Sequence, residues 1–185
     1  HGCVLLGQVL VKRLVKGDCT TLPRVRLAPS RRLVDTAAEM AIALETLEAL
    51  VGKPFPGGTY TIKPYEHWLM MDAVGGPVGF EGPAHPLYVY YGALGGMGMS
   101  VDDLFTLVGA TAADGPMFGE TGIEIHKPLQ IGATYDVSGS ITGVTRKEGR
   151  KAGVFDIVAF ALELRDASGE LAAVSTNSFI FPRRD

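Results

Sequence analysis

The sequence predicts an α+β domain in which helices come first and a long antiparallel sheet comes last. Three observations carry this reading. Residues 34–109 hold three apolar stretches near helical spacing, each bounded by capping residues or glycines. Residues 119–127, 133–146, 151–165 and 170–181 are long runs with period-2 stretches such as T-Y-D-V-S-G-S-I-T and F-D-I-V-A-F-A-L-E-L. The segments between them, K-P-L-Q-I-G, K-E-G-R and D-A-S-G, have turn chemistry.

Taken in order, Val34 to Val51 is rich in Ala, Leu and Glu, with Ile42, Leu44, Leu47 and Leu50 near one helical face. Asp35 caps this predicted helix, and Gly52 with Pro54 stops it. Gly57-Gly58 then opens the short strand T-Y-T-I, ended by Pro64. Tyr65 to Val74 reads as a short helix that buries Trp68, Leu69 and Met71 and ends at Gly75-Gly76. A loop runs to about Pro86, and G-A-L-G-G-M-G reads as a turn. Ser100 is the N-cap of a second apolar helix, V-D-D-L-F-T-L-V-G, with Asp102 and Asp103 in the first turn, where the helix dipole favours anions. The four runs that follow are expected to pair as three consecutive hairpins.

The chain has 185 residues, 46% hydrophobic and 20% charged, the balance of one globular domain with a real core. No apolar run reaches the roughly 20 residues that cross a bilayer, because Lys12, Arg13 and Lys16 interrupt the N-terminal one. No membrane span is expected. Both cysteines, Cys3 and Cys19, lie near the start, so no disulfide framework is expected and a cytoplasmic location is. Residues 1–39 carry seven basic groups against three acidic ones, a net of +4 that leaves −7 for the remainder. The acidic body argues against nucleic acid as a partner. Residues 1–39 form a basic N-terminal extension, read as a transit-like segment, a partner-binding tail, or sequence upstream of a natural start at Met40. Residues 40–185 are read as one domain.

Four histidines without ligand spacing make no metal site, and no cofactor is expected. His67, beside Trp68, reads as a surface or helix-face residue, and His126 as a cross-strand or dimer-edge contact. His85, before a proline, reads either as a structural loop group or as a base. Tyr88, Tyr90 and Tyr91 read as packing groups or as groups that position a substrate. The glycines near 92–98 fail the dinucleotide spacing. Arg146, Lys147, Arg150 and Lys151 read as a solvated hairpin, or as a surface that meets phosphates or an acidic carrier.

The segments V-G-K-P-F-P-G-G-T-Y-T-I, H-P-L-Y-V-Y, G-E-T-G-I-E-I-H-K-P-L-Q-I-G-A-T-Y, R-K-E-G-R-K-A-G and D-A-S-G-E-L-A-A-V-S-T-N-S-F-I-F, in this order, resemble the MaoC-like dehydratases and (R)-specific enoyl-CoA hydratases. The match is to the branch similar to the N-terminal half of the fatty-acid-synthase dehydratase, and it covers about residue 50 to the end. The resemblance implies a hot-dog fold, an antiparallel sheet wrapped around a central helix near residues 100–109. It further implies a dimer, homomeric or with a related hot-dog subunit, that adds water to or removes it from acyl thioesters of coenzyme A or a carrier protein in fatty-acid metabolism. In the family an Asp and a His in a segment similar to G-D-x-N-P-[I/L]-H activate one water. A backbone N–H at the start of the central helix polarises the thioester carbonyl.

Carried onto this chain, that motif puts Gly76 where the Asp belongs and His85-Pro86-Leu87-Tyr88 on the Asn-Pro-Ile-His segment, with Tyr88 in the place of the His. Three readings stay open. The inserted P-V-G-F-E-G-P-A rebuilds a site with His85 as base and Glu81 as its carboxylate partner. Alternatively, the chain is a non-catalytic acyl-binding subunit whose partner brings the dyad. In the third, Asp102 or Asp103 on the central helix serves a hot-dog thioesterase. Gly95, Gly96 and Met97 are expected to face the thioester at the start of the central helix, with Tyr90 and Tyr91 on the substrate.

Overall fold

The computed structural model describes residues 42–151 and 153–183. The extension 1–39, the cap at Asp35, Met40 and both cysteines lie outside them. The elements run α1 (Leu44–Glu48), β1 (Gly58–Thr61), α2 (Pro64–Ala73), α3 (Tyr88–Gly96), α4 (Val101–Leu107), a single 3-10 turn (Ala112–Asp114), β2 (Met117–Ile125), β3 (Thr134–Gly149), β4 (Gly153–Arg165) and β5 (Leu171–Arg183). No described helix is long and apolar enough to cross a membrane.

All strand pairings are antiparallel, in the order β1-β3-β4-β5-β2. The hairpins β3-β4 and β4-β5 form as the turn chemistry predicts. The first expected hairpin does not. β1 occupies the free edge of β3, pairing Gly58 with Val137 and Thr61 with Thr134, so β2 pairs with β5 at the far side of the sheet. Residues 126–133 are therefore a crossing and not a hairpin turn. The N–H groups of His126 and Lys127 both reach the Ala172 carbonyl, and the Gln130 N–H donates to the Tyr135 hydroxyl at 2.8 Å.

Along β4 the inward residues Val158, Phe160, Leu162 and Leu164 are almost fully buried, while the residues between them are half-buried. This is the alternation visible in the sequence, and each of the large inward side chains contributes about 1.5–3 kcal/mol by leaving water. Phe105, Phe118, Phe160, Phe179 and Phe181 form a run of edge-to-face and stacked rings over the same face.

The helix the sheet wraps around is α3, which touches all five strands. The sequence reading placed the central helix at 100–109 and read H-P-L-Y-V-Y-Y-G-A-L-G-G as a strand or loop followed by a turn. That assignment is corrected: the glycines lie inside the helix. Each Gly in a helix interior costs about 1 kcal/mol relative to Ala, but here close packing requires them. A Cβ on Gly92 would meet Leu164 at 3.1 Å and the Tyr60 ring at 3.2 Å, one on Gly95 the same ring at 2.9 Å, and one on Gly96 the Val137 side chain. Their absence lets the helix sit on β1 and β3.

Three smaller corrections follow. In the described part of the first predicted helix only Leu44–Glu48 is helical, because Ala43 is extended at ψ 141 and Gly52 closes the turn at φ +80. α2 buries His67 and Met71, one turn apart, while Leu69 is 55% exposed. The expected buried face is thus rotated, and His67 is not a surface residue. α4 is a short separate helix, capped by Ser100 as the sequence predicts, and Asp103 completes a capping box with it.

One polar cluster ties these layers together. Asp156, with no exposed surface, accepts from Arg146 Nε at 2.7 Å and from Arg183 Nε at 2.7 Å. Arg183 also donates to the carbonyls of Val108 and Gly109 just after α4, and Arg146 to the carbonyl of Ile42. Burial alone would push the Asp156 carboxyl up, but the hydrogen bonds and charges of the two arginines prevail and hold it below the usual carboxylate range.

Candidate functional site

The start of α3 is built by a strap, residues 82–87. Its backbone zips onto the crossing segment: Ala84 N–H donates to the Leu129 carbonyl at 2.7 Å, and Ile131 N–H to the Gly82 carbonyl at 2.9 Å. Pro86 then sits just ahead of the helix, where its missing N–H costs nothing. The strap fixes His85 on the rim of a cavity of about 290 Å³, between Pro83, Val89, Ile125 and Leu129.

Two histidines meet at this strap. His85 N–H donates to His67 Nε2 at 3.2 Å, and His85 Nδ1 accepts the Leu87 N–H at 3.3 Å. In each neutral ring one nitrogen accepts and the other carries the proton. The lone pair of each is thus taken by a backbone amide, and each ring presents an N–H: Nε2–H of His85 and Nδ1–H of His67. His67 is 4% exposed, and its Nδ1 has no hydrogen-bond partner among the described residues. Its ring lies 5.7 Å from that of Tyr88, which is 3% exposed. Burial, with the charges of Tyr60, Glu66 and Tyr91 adding, raises the Tyr88 phenol, so it too remains a protonated donor.

The Glu81 carboxylate is exposed and makes no hydrogen bond or ion pair with His85. Among the described residues no carboxylate bonds His67, His85 or Tyr88. Glu66, the nearest acidic group in sequence, is held by Lys63 at 3.0 Å and by Tyr65.

Several expected positions change. H-P-L-Y opens the central helix and does not precede it, so Tyr88 sits in its first turn. Gly95 and Gly96 close that helix and Met97 caps it, 1% exposed, its carbonyl accepting the Gly57 N–H at 3.1 Å. These three pack the helix end and do not stand at its start. The first α3 amides are occupied within the turn: Tyr88 N–H reaches the His85 carbonyl at 2.9 Å and Val89 N–H the Pro86 carbonyl at 3.0 Å. Asp102 and Asp103 lie on α4 and not on the central helix. The Asp103 side chain is engaged by Ser100 and Asp102 is exposed; neither stands on the helix where the thioesterase reading puts its carboxylate. Arg146 turns inward to Asp156, so only Lys147, Arg150 and Lys151 of the basic hairpin face solvent.

Tyr90 and Tyr91 sit together on α3, their rings 5.7 Å apart, and Tyr90 reaches Phe118 of β2 at 5.9 Å. Tyr91 and Leu87 are 48% and 40% exposed. Tyr90 thus adjoins β2, whose nine residues are all exposed, including Phe118, Ile123 and Ile125 on the face toward α3. An apolar strip of this kind, beside a strand edge that no other strand pairs among the described residues, is interface chemistry.

Solved structures with the same arrangement exist. The HadBC (3R-hydroxyacyl-ACP dehydratase) complex from Mycobacterium tuberculosis is 17% identical at TM-score 0.54, over 71% of this chain and 96% of that one. This chain has the hot-dog fold. The ChsH1-ChsH2 complex from Mycobacterium tuberculosis is 14% identical at TM-score 0.53, over 76% of this chain and 90% of that one. A MaoC-like dehydratase from Phytophthora capsici is 15% identical at TM-score 0.52, over 77% of this chain and 50% of that one. No family model matches the chain, and no curated protein matches it by sequence.

His67 is the site residue that sequence reasoning missed. The signal was its i,i+4 spacing to Met71 behind Pro64, which marks a shared buried face.

Proposed function

We propose that this chain is an acyl-thioester-binding hot-dog subunit serving hydration or dehydration at the 2,3 position, and that a second hot-dog chain supplies the proton-abstracting group. The observation that carries the reading is the protonation pattern at the strap. His85 and His67 both present N–H groups, and among the described residues no carboxylate is bonded to either. Such a site stabilises negative charge on a carbonyl oxygen and has no general base of its own. His85 Nε2–H polarises the thioester carbonyl, in place of the helix amides consumed by the H-P-L-Y turn, while His67 holds the His85 backbone. The acyl chain runs along Tyr90 and Tyr91 toward β2, and the two subunits join across the β2 edge. Residues 40–185 form a single domain acting in the cytoplasm on a coenzyme A or carrier-bound substrate. The dehydratase names of the structural relatives support the reaction class, and the two heteromeric complexes among them support a paired subunit.

The test is titration with a saturated acyl-CoA thioester, which keeps the carbonyl but has no double bond to hydrate, followed by enoyl-CoA absorbance, using the purified chain alone. Binding without turnover is expected. Replacing His85 with alanine is expected to weaken binding about tenfold, the loss of one charge-stabilising donor. Turnover by the chain alone, abolished by His85→Ala, would instead show a complete rebuilt site, and absence of binding would remove the acyl-thioester reading.

A further inference from the structure

We infer that the partner at β2 is a different chain, one carrying lysine or arginine on the outer face of its own edge strand, and that pairing with a second copy is electrostatically disfavoured. The inference rests on the reading of β2 as the subunit-joining edge and adds to it the chemistry of the partner.

The pairing register fixes which side chains share a face. Glu120 lies opposite Ser178, Gly122 opposite Thr176 and Glu124 opposite Val174. These positions point to the outer face of the sheet, whereas Phe118, Thr121, Ile123 and Ile125 point toward α3. Both glutamates are exposed. Glu120 makes no side-chain hydrogen bond or ion pair among the described residues, and Glu124 has only His126, at 3.5 Å. The neighbouring outer positions of β5, Val174, Thr176 and Ser178, bring no cation. On β4, Arg165 is committed to Glu163.

Joining two copies edge to edge needs a two-fold axis perpendicular to the sheet, which pairs β2 antiparallel with itself and keeps outer face on outer face. With the axis at Gly122, each Glu120 stands directly opposite the other copy's Glu124. With the axis at Thr121, the same pairs become diagonal neighbours. Either way four carboxylates crowd adjacent rungs, and like charges placed so destabilise a strand pair. The apolar inward face of β2 supplies attraction to any hot-dog edge, so the outer glutamates select among partners.

A charge-reversed copy of this chain, Glu120→Lys with Glu124→Lys, serves as the probe. Differently tagged wild-type and reversed chains are mixed and their species resolved by native mass spectrometry and sedimentation. The mixed pair is expected to dominate, and the neutral variant Glu120→Gln/Glu124→Gln is expected to self-associate about tenfold more tightly than wild type. A statistical mixture, with wild type pairing as tightly as the neutral variant, would overturn the inference while leaving the edge reading intact. If no species associates, and Ile123→Asp changes nothing, the edge reading fails and the inference with it. Wild type alone gives an independent check: its self-association should strengthen from low to physiological salt as repulsion is screened, and weakening would count against the proposal.

Discussion

Replacing Asp156 with asparagine keeps the side chain's shape and removes its charge. In the folded protein this carboxylate has no exposed surface, while the Arg183 and Arg146 side chains are 5% and 26% exposed. The arginines keep their bonds to the carbonyls of Val108, Gly109 and Ile42, so they stay in place with nothing to balance them. Breaking a buried pair from one side costs about 3–5 kcal/mol. For a domain of this size each kcal/mol moves the melting temperature by about 2–4 °C, giving a drop of roughly 6–20 °C. Urea unfolding at neutral pH, followed by circular dichroism, measures the change in midpoint. Because the folded-state carboxyl lies below its unfolded value near 4, its stabilisation is complete above that value and is lost as pH falls through the lower, folded one. Wild type and variant should therefore converge only in strong acid. A loss below about 1 kcal/mol at neutral pH would refute the claim that the cluster is a buried charge clamp.

Gly98→Ala should cost about 2–4 kcal/mol in the same assay, because the residue holds φ +79 and its new Cβ would fall on the Gly57 carbonyl. Gly75→Ala, at φ +68 with nothing within 4 Å, should cost only about 1 kcal/mol, since backbone strain acts there alone. Ser100→Ala removes the acceptor for the Asp103 N–H and should lower stability by about 1 kcal/mol, read as a melting shift of a few degrees. Tyr90→Ala, which removes the contact with Phe118, should weaken long-chain acyl-CoA binding more than short-chain binding in calorimetry.

β3, β4 and β5 were legible because one face of each meets the core, which imposes the alternation seen from Phe155 to Leu164. The position of β2 was not, because a period-2 pattern states that a strand exists and not which strand lies beside it. β1, only four residues long, decided that by occupying the edge of β3. The central helix was hidden by its own packing: Gly92, Gly95 and Gly96 are poor helix formers, chosen for closeness to Tyr60, Val137 and Leu164. The α4 cap was readable because Ser100 and Asp103 act through local chemistry alone. At the site, His85 was singled out because the resemblance lays H-P-L-Y on the family's motif, whereas its bonds to the Leu87 N–H and to His67 follow from tertiary structure.

The two ends of the sheet differ in a way that governs what happens at high concentration. β1 spans four residues between Pro56 and Pro64, too short a ledge for another strand to template on, whereas β2, paired with β5 on one side, presents an outer edge nine residues long with no strand beside it among the described residues. A molecule with one usable ledge can be terminated but cannot be a link, so stacking stops after a single addition and no fibre propagates. On the pairing proposed above, this chain made without its mate leaves that ledge bare, and recovery of soluble material should rise when the two are produced together.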